Sequence, residues 1–221
     1  MKRLYFFLFL LNLPILLISL NVLSVTYDLK LYDEQFEEHQ IYQNVGDALV
    51  ISESILQYFS GRDTLNETQF SERELTHLRE VKALITFIKA ISVMSLLLFM
   101  FIIFRESRRR KKGKDMGIGL IIGGLITNLI VLVFLVMSAH FSSSFLAFHK
   151  AVFPTDTWLL PANSTLISLY PEGFFFSMFT QIILRLAIVA NIIVLSGLFL
   201  LYKEKIINKF KTLKEIIKEY K

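Results

Sequence analysis

Long apolar runs separated by polar stretches set the pattern of this chain. The first runs from Leu4 to about Val25, broken by Asn12, Pro14, Ser19 and Asn21, and three more cover 83–104, 116–139 and 174–202. Each reaches the ~20 residues that an α-helix needs to cross the hydrocarbon of a bilayer. The first run is longer than the apolar part of a secretory signal, and no small-x-small site follows it, so it reads as an uncleaved span. Between the runs, 26–82 and 140–173 are polar, and 203–221 forms a lysine-rich tail.

The polar stretches carry their own periodicities. YDLKLYDEQF, from Tyr27, partly alternates and reads as strand-like, which leaves room for a β-hairpin. Asn44 to Phe59 places Val45, Leu49, Leu56 and Phe59 on one side of an amphipathic helix closed by Ser60-Gly61. Ser71 and Glu74 make an S-x-x-E capping box, so a helix should start there and carry His77 and Lys82 into the second span. Gly117, Gly119, Gly123 and Gly124 permit close helix contact at one end of the third span. Asn163 is placed to cap a short helix through Leu169 that Pro171 ends. The tail has an apolar stripe at Ile206, Phe210, Leu213 and Ile217 and reads as a helix lying on the membrane face. The fold predicted is a mainly α, polytopic membrane protein with four transmembrane helices and a small extracytoplasmic cap of short helices, one integral domain over 1–221. Phe148 to Phe176, rich in proline and aromatics, is too irregular to be a span and reads as a loop at the membrane surface.

Charge orients this arrangement. RESRRRKKGKD, from Arg105 to Asp115, packs seven basic residues into a short connection, whereas Thr26 to Lys82 holds twelve acidic against five basic. The positive-inside rule therefore puts both termini in the cytoplasm and both sizeable polar loops outside a bacterial cytoplasmic membrane. His39, His77, His140 and His149 all fall on that outer side. The net charge of +5 gathers at the ends of spans and not along a soluble face, so it argues for topology and against a nucleic-acid partner. A hydrophobic share of 54% and a mean hydropathy of +0.54 agree with a membrane protein. With no cysteine among 221 residues, disulfides, thiolate metal sites and a cysteine nucleophile are excluded.

Chemistry concentrates at the outer surface. His77 and His149 each sit where a span meets the cap, and imidazole moves protons near neutral pH; hydrogen bonding to lipid headgroups is the plainer role for an interfacial histidine. Phe148, Phe153 and Trp158 suit the wall of a pocket for a lipid-bearing substrate, or an interfacial aromatic belt. The Asn163 amide serves either a helix cap or a developing oxyanion. Lys89 and Arg185, inside apolar runs, suggest either function or snorkelling to lipid phosphate. His77, His149 and Glu80 together could hold zinc, but no H-E-x-x-H motif supports it, and no G-x-S-x-G or Walker loop occurs. The absence of paired broken helices speaks against a transporter. A non-catalytic protein whose acidic cap binds an envelope partner is the alternative to an enzyme.

Two motifs resemble a known family. E-x-x-H-x-x-x-V-K, at Glu74, His77, Val81 and Lys82, and a second set at Phe148, His149, Phe153, Trp158, Pro161, Asn163, Leu166, Ile167, Pro171 and Glu172 are similar to those of the lipoprotein intramolecular transacylase family of bacterial membrane proteins. The family commonly has Asp where this chain has Glu80. The resemblance implies an acyltransferase that moves the sn-2 acyl chain of a diacylglyceryl-modified lipoprotein to the α-amine of its N-terminal cysteine, giving the lyso form. It implies His77 and His149 as catalytic residues; Phe148, Phe153, Trp158, Asn163 and Lys82 are the candidates for binding substrate. Ester to amide is downhill, so neither cofactor nor metal is expected, and a monomer in contact with membrane lipid suffices.

Overall fold

The computed structural model describes residues 3–62, 65, 67–108, 113–153 and 155–219. Four of its helices are long and apolar enough to cross a membrane: α1 (Arg3–Thr26), α4 (Glu72–Ser107), α5 (Gly113–Ala139) and α8 (Glu172–Glu219). The protein is a multi-pass membrane protein. Among the described residues there is no strand. The short helices α2 (Leu29–Glu38), α3 (Ala48–Ser60), α6 (Phe141–Val152) and α7 (Thr165–Leu169) make up a cap.

In the bundle α1 is central: α4 packs on one part of it, while α5 and α8 pack on each other and on α1. Each span is apolar around its whole circumference, as lipid contact requires, so packing rests on small residues and on buried amides rather than on an amphipathic stripe. The Asn12 amide donates to Ser95 O at 2.9 Å, and the Asn21 amide to Ile182 O at 2.7 Å, tying α1 to α4 and to α8. At the α5–α8 contact a Cβ on Gly117 would stand 2.8 Å from Gly197 O, so only glycine permits this approach.

The cap core joins the end of α1 and the starts of α4 and α8 through Val25, Phe36, Ile55, Leu78, Leu169 and Phe174, all buried. The strand-like stretch is the helix α2: Asp28 accepts from Leu31 N at 3.3 Å at its start, and Leu31, Tyr32, Gln35 and Phe36 form its buried face. Their i, i+1, i+4, i+5 spacing is helical and outweighs the partial alternation. α3 begins at Ala48, later than expected, and ends at Gly61 with φ +73°, a left-handed cap suited to glycine. The Ser71–Glu74 capping box forms in both directions. Ser164, not Asn163, caps α7, its hydroxyl accepting from Ile167 N. Much of the expected irregular loop is helical, since α6 extends through Val152. The tail continues α8 without a break to Glu219. At ~1.5 Å per residue the 36 residues of α4 extend about 54 Å, well beyond a ~30 Å hydrocarbon core, and its first turns, with His77 and Glu80, precede the continuous apolar run that begins near Ala83.

Candidate active site

His77 comes from the first turns of α4 and His149 from the last turn of α6, 72 positions apart in sequence. The cap brings their rings to a centroid separation of 6.3 Å. The connection after α6 crosses to α4, and there Glu80 fastens it: its carboxylate accepts from the hydroxyls of Thr155, at 2.6 Å, and Thr157. The Arg73 guanidinium donates to Asp156 O in the same connection. Trp158, at the end of this clasped segment, lies 5.3 Å from the His149 ring.

The ring environment is aromatic. Phe145 lies one helical turn before His149, its ring 4.2 Å away, and Phe148 and Phe153 stand 5.5 and 5.4 Å from it. Phe153 also meets His77 edge-on at 4.9 Å. Phe153 is buried, while Phe148 is 45% exposed and marks the open side of the cluster.

Tautomer and charge follow from the neighbours. His149 Nδ1 lies 2.8 Å from Phe145 O, and a carbonyl only accepts, so Nδ1 carries the hydrogen and Nε2 the lone pair. His77 Nδ1 is buried with no hydrogen bond and faces Glu80 Oε2 at 3.7 Å, a coulombic distance rather than a bonded one. Burial pushes the pKa of both imidazoles below the ordinary 6.5, and His149 pushes His77 further down while Glu80 opposes it. Burial raises Glu80 in turn, but the two threonine hydroxyls and His77 together hold it below its ordinary value. Near neutral pH the pair is therefore two uncharged bases beside a carboxylate.

Of the residues expected to bind substrate, Phe148, Phe153 and Trp158 surround the histidines. Lys82 instead lies over the Tyr58 ring at 3.7 Å, and Asn163 lines a polar groove with Ser71 and Glu74. Lys89 does not snorkel: its ammonium donates to Phe59 O at 3.0 Å, capping α3, and sits over Tyr27. Arg185 pairs with Asp28 at 2.7 Å, joining α8 to the start of α2. His39 bonds Ser177, and His140 stands at the N-cap position of α6 with no side-chain capping bond, so neither joins the site. Among the described residues no three His, Asp or Glu side chains converge as metal ligands would. The sequence reading missed Phe145 and the clasp of Thr155 and Thr157 on Glu80. The F-x-x-x-H spacing within α6 carried the first; nothing local carried the second, because it joins residues 75 and 77 positions apart.

The family model described as lipoprotein intramolecular transacylase Lit matches residues 7–175. Among solved structures, the in meso structure of the membrane integral lipoprotein intramolecular transacylase Lit from Bacillus cereus is similar, with a TM-score of 0.83 at 18% identity, covering 92% of this chain and 97% of that one. Two structures of the same Bacillus cereus protein, each with one histidine replaced, by Arg or by Ala, match with TM-scores of 0.75 at 18% identity, covering 92% of this chain and 93% and 95% of theirs. At that identity the likeness speaks to the fold. No curated protein matches.

Proposed function

The chain belongs to the lipoprotein intramolecular transacylase Lit family, and on that premise we propose that His77 and His149 carry its reaction at the extracytoplasmic face of the membrane. It is an acyltransferase, an intramolecular O-to-N transacylase acting on lipoproteins. The observation that supports the assignment is the pair of largely buried imidazoles 6.3 Å apart within one aromatic cluster. Family membership disfavours a non-catalytic binding protein.

The substrate presents an α-ammonium, which has no lone pair, and an sn-2 ester on the same molecule. One proton must leave before nitrogen attacks the ester carbonyl, and a second after the tetrahedral intermediate has formed. His77 takes the first, because the Glu80 carboxylate stabilises the imidazolium that results. It then passes that proton to solvent. His149 takes the second at Nε2 and delivers it to the departing glyceryl oxygen as the C–O bond breaks. The products are an amide and a free sn-2 hydroxyl. Because amine and ester are joined, the pocket's main contribution is to fold the substrate until they meet. The aromatic rings of Phe148, Phe153 and Trp158 hold its lipid part and keep out water that would hydrolyse the ester.

The acyl chains descend beside the spans, and a single copy of the chain is sufficient. The basic residues Arg105, Arg108 and Lys114 at the opposite ends of the spans support placing the pocket outside. The test is replacement of each histidine by alanine in cells lacking other N-acylating activity, with mass spectrometry of lipoprotein N-termini. Loss of the lyso form with the protein still inserted is expected; full activity of both variants sinks the assignment.

A further inference from the structure

The pocket accounts for only half of its substrate. A lipoprotein carries a polypeptide on the same cysteine that bears the lipid, and that polypeptide must leave an aromatic pocket for water. Two segments that wall the pocket continue, within three residues each, into a polar groove: from His77 back to Glu74 along α4, and from Trp158 on to Pro161. Along α4 this step is about 4.5 Å, taken away from the spanning segment. The groove encloses about 390 Å³, within the usual size of a ligand site. Its walls meet where the Thr165 hydroxyl donates to Gln69 O at 3.1 Å and where Leu166 N donates to Glu74 Oε1 at 2.8 Å.

The lining selects the kind of ligand. Glu74 is 2% exposed, and its carboxylate already accepts from Ser71 N, Ser71 Oγ and Leu166 N, so its charge is spent inside the protein. The N–H groups at the adjoining helix starts are also occupied, Glu74 N by Ser71 and Ile167 N by Ser164. Glu74 is the one ionisable residue of the lining, so the groove offers an ion no free charged group. The Gln69 and Asn163 side-chain amides remain as donors and acceptors, and the Ser71 and Thr165 hydroxyl oxygens, whose hydrogens go to Glu74 and to Gln69 O, keep a lone pair to accept with, a neutral set matched to peptide main chain. Recognition through main-chain amides is indifferent to side chains, which suits an enzyme whose substrates share only their lipidated first residue.

We propose that this groove binds the first residues that follow the lipidated cysteine, as extended and largely uncharged polypeptide. The proposal rests on the transacylase reading above and assigns the substrate's peptide half to Gln69, Ser71, Asn163 and Thr165.

The test compares two synthetic substrates with the full-length protein in liposomes: diacylglyceryl-cysteine amide, and the same group followed by five Ser, Gly and Asn residues. The wild-type protein should convert the longer one with kcat/KM roughly tenfold higher, the gain of one or two hydrogen bonds. Gln69→Ala and Asn163→Trp, which respectively removes a partner and fills the groove, should bring that ratio toward one. Circular dichroism and thermal melting confirm that each variant is folded. Equal efficiency of the wild type on both substrates, or a ratio unchanged in both variants, overturns the groove while the transacylase stands. No amide product from either substrate overturns both.

Discussion

Two aromatic clusters adjoin in the cap and differ in what burial does to them. One holds Tyr32, Phe36, Tyr170 and Phe174, with ring separations of 5.1 to 6.2 Å. The other holds His149 with Phe145, Phe148, Phe153 and Trp158, and Phe175 joins the two, 5.7 Å from Phe174 and 5.2 Å from Phe145. In both, loss of water favours the neutral form of the titrating group. Burial raises the Tyr32 and Tyr170 phenols above the ordinary 10.0, so they stay protonated and inert. The same burial lowers the imidazoles, and a neutral imidazole is already a base. One packing principle thus yields a structural core on one side and, on the proposed function, a reactive site on the other. The difference lies in which residue type stands among the rings.

Converting the second cluster into the first breaks the comparison most sharply. His149→Phe keeps a ring in the pocket and removes the proton carrier. Transacylation should fall by about 10²–10⁴-fold, the contribution typical of a general acid or base. The thermal unfolding temperature should hold or rise, because a buried polar ring becomes an apolar one. An active His149→Phe protein would show that the ring only fills space.

Emptying the first cluster acts in the opposite sense. Phe36 is 0% exposed, and truncating a fully buried phenylalanine typically costs about 3–5 kcal/mol. Phe36→Ala should lower the unfolding temperature of the cap and speed amide exchange in α2 and α7, which hydrogen-exchange mass spectrometry reads. At a temperature where the cap remains folded, kcat should change little. A variant as stable as the wild type would mean that α2 is not held by this core.

The fold was largely legible in the sequence, because span length and the capping box are local properties. Leu4–Val25 predicted α1 to within a residue at each end, and Ser71 with Glu74 marked the start of α4. The YDLKLYDEQF stretch misled, since alternation over ten residues can coincide with helical spacing, and the burial of Tyr32 and Phe36 decided it. At the site, both histidines and three of the rings stood out by residue type and by motif. Glu80 stood out as a conceivable zinc ligand and as the place where the family commonly has Asp, but its clasp on the threonines did not, because they come from a distant connection. Lys89 and Arg185 looked like either functional groups or lipid ligands for the same reason: Phe59 O and Asp28 lie 30 and 157 positions away.

A smaller effect sharpens the role of charge in the second cluster. With both imidazoles below 6.5, activity should be level above that pH and decline only as pH falls through their lowered values. The sign is the same for stability: folding disfavours the imidazolium, so stability present above 6.5 is lost as pH drops. Glu80 favours the charged form of His77, so Glu80→Gln should shift the acid limb of the pH–rate profile lower still. It should also reduce the rate about tenfold, one pKa unit of lost stabilisation for the imidazolium. An acid limb that moves up, or that stays put with full activity, would remove Glu80 from the mechanism.

The smallest effect tests whether the first cluster is as inert as its raised phenols imply. The Tyr170 hydroxyl donates to Ser52 Oγ at 2.8 Å, and Ser52, 0% exposed, passes its own hydrogen to Ala48 O. Tyr170→Phe removes one donor, leaves a serine lone pair unmet and keeps the ring contacts, so it should cost about 1 kcal/mol. The lyso-form yield and its pH profile should match the wild type, because no proton passes through this phenol. A shifted profile would mean that the two clusters are coupled through Phe175 and that the structural one also tunes the histidines; an unchanged one separates packing from chemistry at a boundary one ring wide.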